Sequence, residues 1–318
     1  MTTLLSRRAF LRQAAAASVP LLGSAVESGL RILDTHVHFY DPTRPEGVPW
    51  PAKGSPIYRR TLPVDYLAAA GKSPVTRGVI IVEASAWLED NQWVLDLAAR
   101  EPLVAGVVGR LTPGDSEFAG QVKRFATNPL FRGIRVAGAQ LAKQVDDAAF
   151  LAGLEALTDA GLSLDVNGNA ATHPAIAQVA ARFPVLRIIL NHLGLPGDPA
   201  AGLPASWGEG IRVLGERTNV FCKVSAVVEQ AKSEYGRAPT SLATYRGILD
   251  PLWESFGSER LLYGSNWPVC ERGAGLPAVE ALALEYFTPR GSTVVDQVFW
   301  RNSQAAYRWT REPGAVAK

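Results

Sequence analysis

Apolar and polar positions along this chain follow two rhythms. Short runs rich in valine, isoleucine and leucine are followed by stretches in which apolar residues return every three or four positions. The first rhythm is that of a buried strand and the second that of a helix with one apolar stripe. Eight runs predict strands: 31–39, 78–85, 104–111, 133–138, 162–169, 187–194, 220–227 and 260–267. Helical spacing is plainest in 90–101 and 173–183. The second carries Pro174 where a first helical turn accepts proline, with Thr172 and His173 as cap candidates. The segment 228–259 precedes the last strand and predicts an inserted loop or an extra helix.

Strand and helix alternating eight times predicts a single-domain (β/α)8 TIM barrel over residues 30–318, with a doubly wound open sheet as the alternative. The polar residues favour the barrel. Nearly every predicted strand ends in a group capable of chemistry: His36 and His38, Glu83, Arg110, Arg135, Asp165 with Asn167, His192, Lys223, and Asn266. A barrel gathers such groups from many strand ends, whereas an open sheet concentrates them at one crossover.

Composition narrows the function more than the fold. The formal net charge is +2, which argues against a nucleic-acid partner. Residues 6–25 read as a twin-arginine export signal, with Arg7-Arg8, an alanine-rich run and a small-residue cleavage site at Gly23-Ser24-Ala25. The run is shorter than the roughly 20 apolar residues that span a bilayer. Residues 1–29 are therefore assigned to signal and linker, and a periplasmic location without stable membrane association is expected. Without Arg7, Arg8 and Arg12, the 32 basic residues fall to 29 against 30 acidic ones, so the mature chain is near neutral. Cys222 and Cys270 make neither a disulfide scaffold nor a zinc ribbon, and a bond between them is not expected.

Alternation puts Asp34, His36 and His38 of DTHVH on one strand face, where two imidazoles can grip one ion or serve as core histidines. His192 would bring a third imidazole to the mouth, a set suited to zinc or manganese. Glu83 follows a run apolar enough to be buried, so it needs a partner: a metal, a proton or a cation such as Lys223. Arg110 and Arg135 are candidates for clamping a carboxylate or hydroxyl-rich substrate. Asp165 and Asn167 share a face and suggest a polar interior facing substrate, or a structural network, and Lys223 can be a substrate ligand or an ion-pair member. His173, in the loop after the fifth strand, and Trp267 are further candidate substrate contacts. The segments 41–62 and 228–250 hold Trp50, Tyr58, Arg59, Tyr235 and Tyr245, which can set specificity.

The stretches DTHVHFYDP, FRGIRV, LSLDVN, RIILNHLGLP, NVFCKVSAV and RLLYGSNWPVC, in this order, resemble the amidohydrolase superfamily, and within it the amidohydrolase-2 group that includes sugar lactonases and pyrone-dicarboxylate hydrolases. The resemblance implies a distorted barrel, His36 and His38 as the strand-one pair and His192 as the strand-six histidine. It also implies one divalent metal on these residues, or metal-free action as in some lactonase relatives. It further implies hydrolysis of a small lactone or sugar acid by activated water, with Glu83, Asp165 or His192 as base. A decarboxylase of a small aromatic or unsaturated acid and a silent carbohydrate-binding barrel are the alternatives. One departure stands out. Most members carry an aspartate where this chain has Asn266, and an amide has no basic lone pair with which to take a proton.

Overall fold

The computed structural model describes residues 29–71, 75–233 and 236–313. The segment read as an export signal lies outside the described residues, as does Tyr235.

Eight strands follow one another in chain order around one sheet: β1 (Arg31–Val37), β2 (Thr76–Val82), β3 (Val104–Gly109), β4 (Phe131–Ala137), β5 (Ser163–Asn167), β6 (Ile188–Leu190), β7 (Val220–Val224) and β8 (Leu261–Tyr263). Each pairs with the next in parallel, and helices fill the connections. This is the (β/α)8 barrel that the alternation predicts. The helical spacings at 90–101 and 173–183 become helices Asp90–Arg100 and His173–Arg182. The long segment before β8 holds a 3-10 turn, Val228–Gln230, and a helix, Leu242–Phe256.

Two strands fall furthest short of their apolar runs. β6 stops at Leu190 and β8 at Tyr263, so His192 and Asn266 lie beyond the strand ends. The cause is local. His192, Leu193 and Leu195 have φ of 55°, 61° and 49°, and Asn266 has 61°. Residues in the left-handed region cannot continue an extended ladder.

Between β8 and β1 the barrel closes by a seam in which side chains take a large share. Just past β8, Asn266 N–H donates to the His36 carbonyl and His38 N–H to the Trp267 carbonyl, each at 2.9 Å. Thr35 Oγ1 donates to the Tyr263 carbonyl at 2.7 Å. The buried Asp34 carboxylate accepts from Ser265 N–H at 2.8 Å, His36 N–H at 3.1 Å and the Tyr66 hydroxyl at 3.1 Å. Burial pushes this carboxyl up to about 6, while those hydrogen bonds pull against the rise. Gly264 makes the approach possible, because a Cβ there would lie 2.9 Å from His36 Cβ and 3.2 Å from Ser225 Cβ.

The core has two layers. The outer one packs strands against helices and includes Phe131, Phe150, Leu154, Ile176, Ile211 and Phe256. The inner one joins Leu33, Ile80, Val82, Val108, Ile189, Phe221 and Leu262 from six strands to Trp300, Tyr307 and Trp309 from the segment after the last long helix. Filling a small barrel with side chains makes it a packed core and confines reactive groups to its mouth.

Candidate active site

The C-terminal strand ends surround a cavity of about 410 Å³. Its lining includes His38, Trp50, Glu83, Ser85, Arg110, Arg135, His192 and Asn266. That volume suits one small organic molecule. The mouth is also where the backbone is most strained, since Ala226 after β7 has φ 52°, beside the left-handed residues after β6 and β8.

Hydrogen bonds set the state of each imidazole. His38 Nδ1 lies 3.0 Å from the Val82 carbonyl, which can only accept, so the proton sits on Nδ1 and Nε2 carries the lone pair. His192 Nδ1 lies 2.9 Å from Ser225 Oγ, and that oxygen also accepts from His192 N–H at 3.3 Å. His36 Nδ1 faces Lys223 Nζ at 3.3 Å, and its buried Nε2 has no partner among the described residues. The His36 ring is 5.0 Å from His38 and 4.4 Å from His192 between centroids. Burial, with Arg135 and Lys223 adding positive charge, pushes His38 down to about 3 and holds His36 and His192 well below the ordinary imidazole value. All three rings are therefore neutral at physiological pH and poor bases.

The two carboxylates named from the sequence as candidate bases are both tied down. Glu83 accepts from Arg135 Nε at 2.9 Å, its own carbonyl accepts from Arg135 Nη2 at 3.0 Å, and Arg110 Nη1 lies 3.7 Å away. One carboxylate thus holds two guanidiniums at the cavity wall. Asp165 accepts from Lys223 Nζ at 2.7 Å and from the Tyr307 hydroxyl at 3.1 Å. Burial pushes this carboxyl up and the ammonium down, and each shift is opposed by the partner's charge. Glu83 therefore pairs with arginines, and Lys223 with Asp165 on β5.

Four residues read as substrate contacts do not line the cavity. Lys223 is fully buried in its ion pair. Asn167 ends β5 in an exposed position. The His173 ring packs against the backbones of Gly194 and Gly210, which leave it room by lacking side chains. Trp267 is buried against Phe39 and Tyr66 and donates from Nε1 to Glu271 at 2.9 Å. Cys222 and Cys270 are buried free thiols.

Glu229 is the residue that sequence reasoning missed. It lies in the 3-10 turn after β7, and its Oε1 accepts from Asn266 Nδ2 at 2.8 Å. In the sequence it is one polar residue in a polar connection. The signal that could have found it is Asn266 itself: an amide in an acid's place calls for an acid nearby.

The donor set does not fit the divalent ion that the resemblance implies. Lys223 Nζ faces His36 Nδ1, which leaves the ring proton on Nε2, the atom that would have to bind. The strand-eight position offers a neutral amide. Among the described residues no group of three His, Cys, Asp or Glu side chains is arranged to hold a metal ion.

A profile for amidohydrolases matches residues 33–309. The chain belongs to the amidohydrolase family. It is a hydrolase of that family, and two of its relatives are lactonases. An L-fucono-1,5-lactonase of Burkholderia ambifaria is 30% identical over 295 residues, covering 89% of this chain and 97% of that protein. An L-fucono-1,5-lactonase of Burkholderia multivorans is 28% identical over 287 residues, covering 88% and 97%. Among solved structures, an amidohydrolase from Burkholderia multivorans with bound HEPES superposes with a TM-score of 0.78 at 26% identity, covering 88% of this chain and 99% of that one. A second structure of an amidohydrolase from that organism, with bound zinc, has a TM-score of 0.77.

Proposed function

We propose that this amidohydrolase opens a sugar-acid lactone by adding water to the ring carbonyl at the barrel mouth. One observation carries the reading: a single carboxylate, Glu83, holds Arg110 and Arg135 on the wall of a cavity sized for one small sugar. Such a pair binds carbonyl, carboxylate and hydroxyl oxygens. Likeness to L-fucono-1,5-lactonases along 97% of their length supports the same substrate class.

The chemistry follows from which groups donate and which accept. Ser225 Oγ accepts from His192 N–H, which frees its hydroxyl proton for His192 Nδ1; the neutral ring then carries its proton on Nε2. Nε2–H and Arg135 are the donors for the carbonyl oxygen and for the negative charge it gains on attack. Arg110, the more exposed guanidinium, suits the sugar hydroxyls. The His38 Nε2 lone pair accepts one proton of the water in a hydrogen bond and so orients it. No step requires a metal ion.

A panel of sugar lactones read by proton release tests the reading. At least one sugar lactone should open much faster than an unsubstituted ring of equal size, and chelator-treated enzyme should keep its rate. Carbon dioxide release from aromatic acids, with no lactone opened, would instead favour a decarboxylase. Export by the twin-arginine route is a separate proposal resting on Arg7-Arg8. Replacing both with lysine should leave the protein in the cytoplasm; unchanged fractionation would refute it.

A further inference from the structure

The expected strand-eight acid is absent, yet hydrolysis needs a group to take a proton from water. His36 and His192 carry the ring proton on Nε2 and offer no lone pair there, and the His38 Nε2 lone pair serves to orient the water. Asp34 and Asp165 have both oxygens committed to donors that hold the fold together, and Glu83 is held through Oε1 as the counter-charge of two arginines. Glu229 differs. Its Oε1 is held by Asn266 Nδ2 at 2.8 Å, while its buried Oε2 has no donor among the described residues. Asn266 Oδ1 is in the same condition. Two buried acceptor oxygens in one hydrogen-bonded pair, both without donors, are costly unless a donor such as water reaches them. The pair also sits on a border. Asn266 lines the 410 Å³ cavity, Glu229 lines a neighbouring cavity of about 470 Å³ with Lys232 and Arg272, and Val269 lines both.

We propose that Glu229 is the general base of this enzyme, a carboxylate displaced from the end of strand eight to the turn after strand seven, with Asn266 holding it in orientation. The inference rests on the lactonase reading. As the water oxygen forms its bond to the lactone carbonyl carbon, one water proton passes to Glu229 Oε2 and the carbonyl electron pair moves onto oxygen. Collapse of that intermediate breaks the bond between the carbonyl carbon and the ring oxygen. The ring oxygen leaves with the proton from Glu229, giving a hydroxy acid that ionises and releases one proton to solvent. Burial raises the Glu229 carboxyl to about 7, against the pull of Asn266 and Arg272. Tyr245 and Cys270, whose own protons burial holds in place, are the other titratable groups that face it. A base with that value is half ionised at neutral pH, close to the optimum for proton transfer.

The test compares wild type, Glu229→Gln and the double variant Glu229→Gln with Asn266→Asp on the best lactone of the panel, with circular dichroism to verify folding. In wild type, kcat/KM should rise with pH through a limb near 7. Glu229→Gln should lose at least 100-fold in kcat with KM within about 3-fold, and lose that limb. The double variant returns an acid to strand eight beside a glutamine that can donate to it. It should recover at least 10-fold over Glu229→Gln, with its acidic limb at a new pH. A folded Glu229→Gln that keeps both wild-type rate and limb overturns the assignment while leaving the lactonase reading intact. A double variant no better than the single one also overturns it. Wild type that opens no lactone removes the lactonase reading, and this inference with it.

Discussion

Asn266 does two jobs that substitution can separate. Its backbone is left-handed, φ 61°, a conformation asparagine tolerates better than most side chains, and its amide lines the cavity while donating to Glu229. Asn266→Ala should therefore lose about 1 kcal/mol of stability from the backbone and a larger part of kcat. Asn266→Gly should regain the stability but not the rate. Urea melts beside turnover numbers check this, and equal kcat in all three proteins would leave the amide without a catalytic part. Glu83 faces the opposite outcome, because it compensates two guanidiniums in a half-buried wall. Glu83→Gln should cost about 3 kcal/mol of stability, seen in denaturant unfolding, along with activity. An unchanged midpoint would mean that the arginines find other partners. At this scale alternation already gathered His38, Glu83, Arg110, Arg135, His192 and Asn266 at strand ends, and they share one cavity. What alternation could not give was pairing. Which of Arg135 and Lys223 meets Glu83 depends on positions across the barrel, and Glu229 carries no pattern at all in a polar turn.

The strands were legible because apolar runs with regular connections leave a parallel barrel few rivals, and all eight formed where the runs lie. Their ends were not, because His192 and Asn266 leave the extended region for reasons set by the mouth. Nor was the seam, which depends on Asp34 accepting from Ser265, His36 and Tyr66 at once. Asp34→Ala would strand those donors, at a cost of about 1–3 kcal/mol for each buried one. Hydrogen exchange at the Ser265 amide should accelerate more than at β4 or β5 amides. A uniform acceleration would show that β1 and β8 have no local weakness. Across the barrel, Asp165 on β5 and Lys223 on β7 behave as a unit. Asp165→Asn alone leaves a buried ammonium and should cost about 3–5 kcal/mol, while adding Lys223→Met should recover much of that loss. Additive losses in thermal melts would count against a coupled pair.

For the molecule as a whole, the buried carboxyl of Glu229 ties stability to pH. Its folded value, about 7, lies above its unfolded value of 4.5, so the folded state holds the proton more tightly. That contribution is complete below pH 4.5 and is lost as pH rises to 7, at most about 3 kcal/mol. Glu229→Gln removes the dependence. The variant should gain on wild type between pH 4.5 and 7 and no further above, read by chemical denaturation at several pH values. A difference that does not change with pH would place the carboxyl in solvent. The buried imidazoles act in the other sense, costing stability as pH falls below 6.5, but equally in both proteins. The inner layer of the core adds an ordering in time. Trp300, Tyr307 and Trp309 fill the space between strands made long before them, and Tyr307 caps the Asp165–Lys223 pair. A ribosome delivers this plug only after every strand has emerged, so a nascent chain with all eight strands still lacks part of the filling of its own barrel. Maturation is thus a late event for the entire polypeptide, and a chain released before the plug should be caught by chaperones rather than fold into a smaller working enzyme.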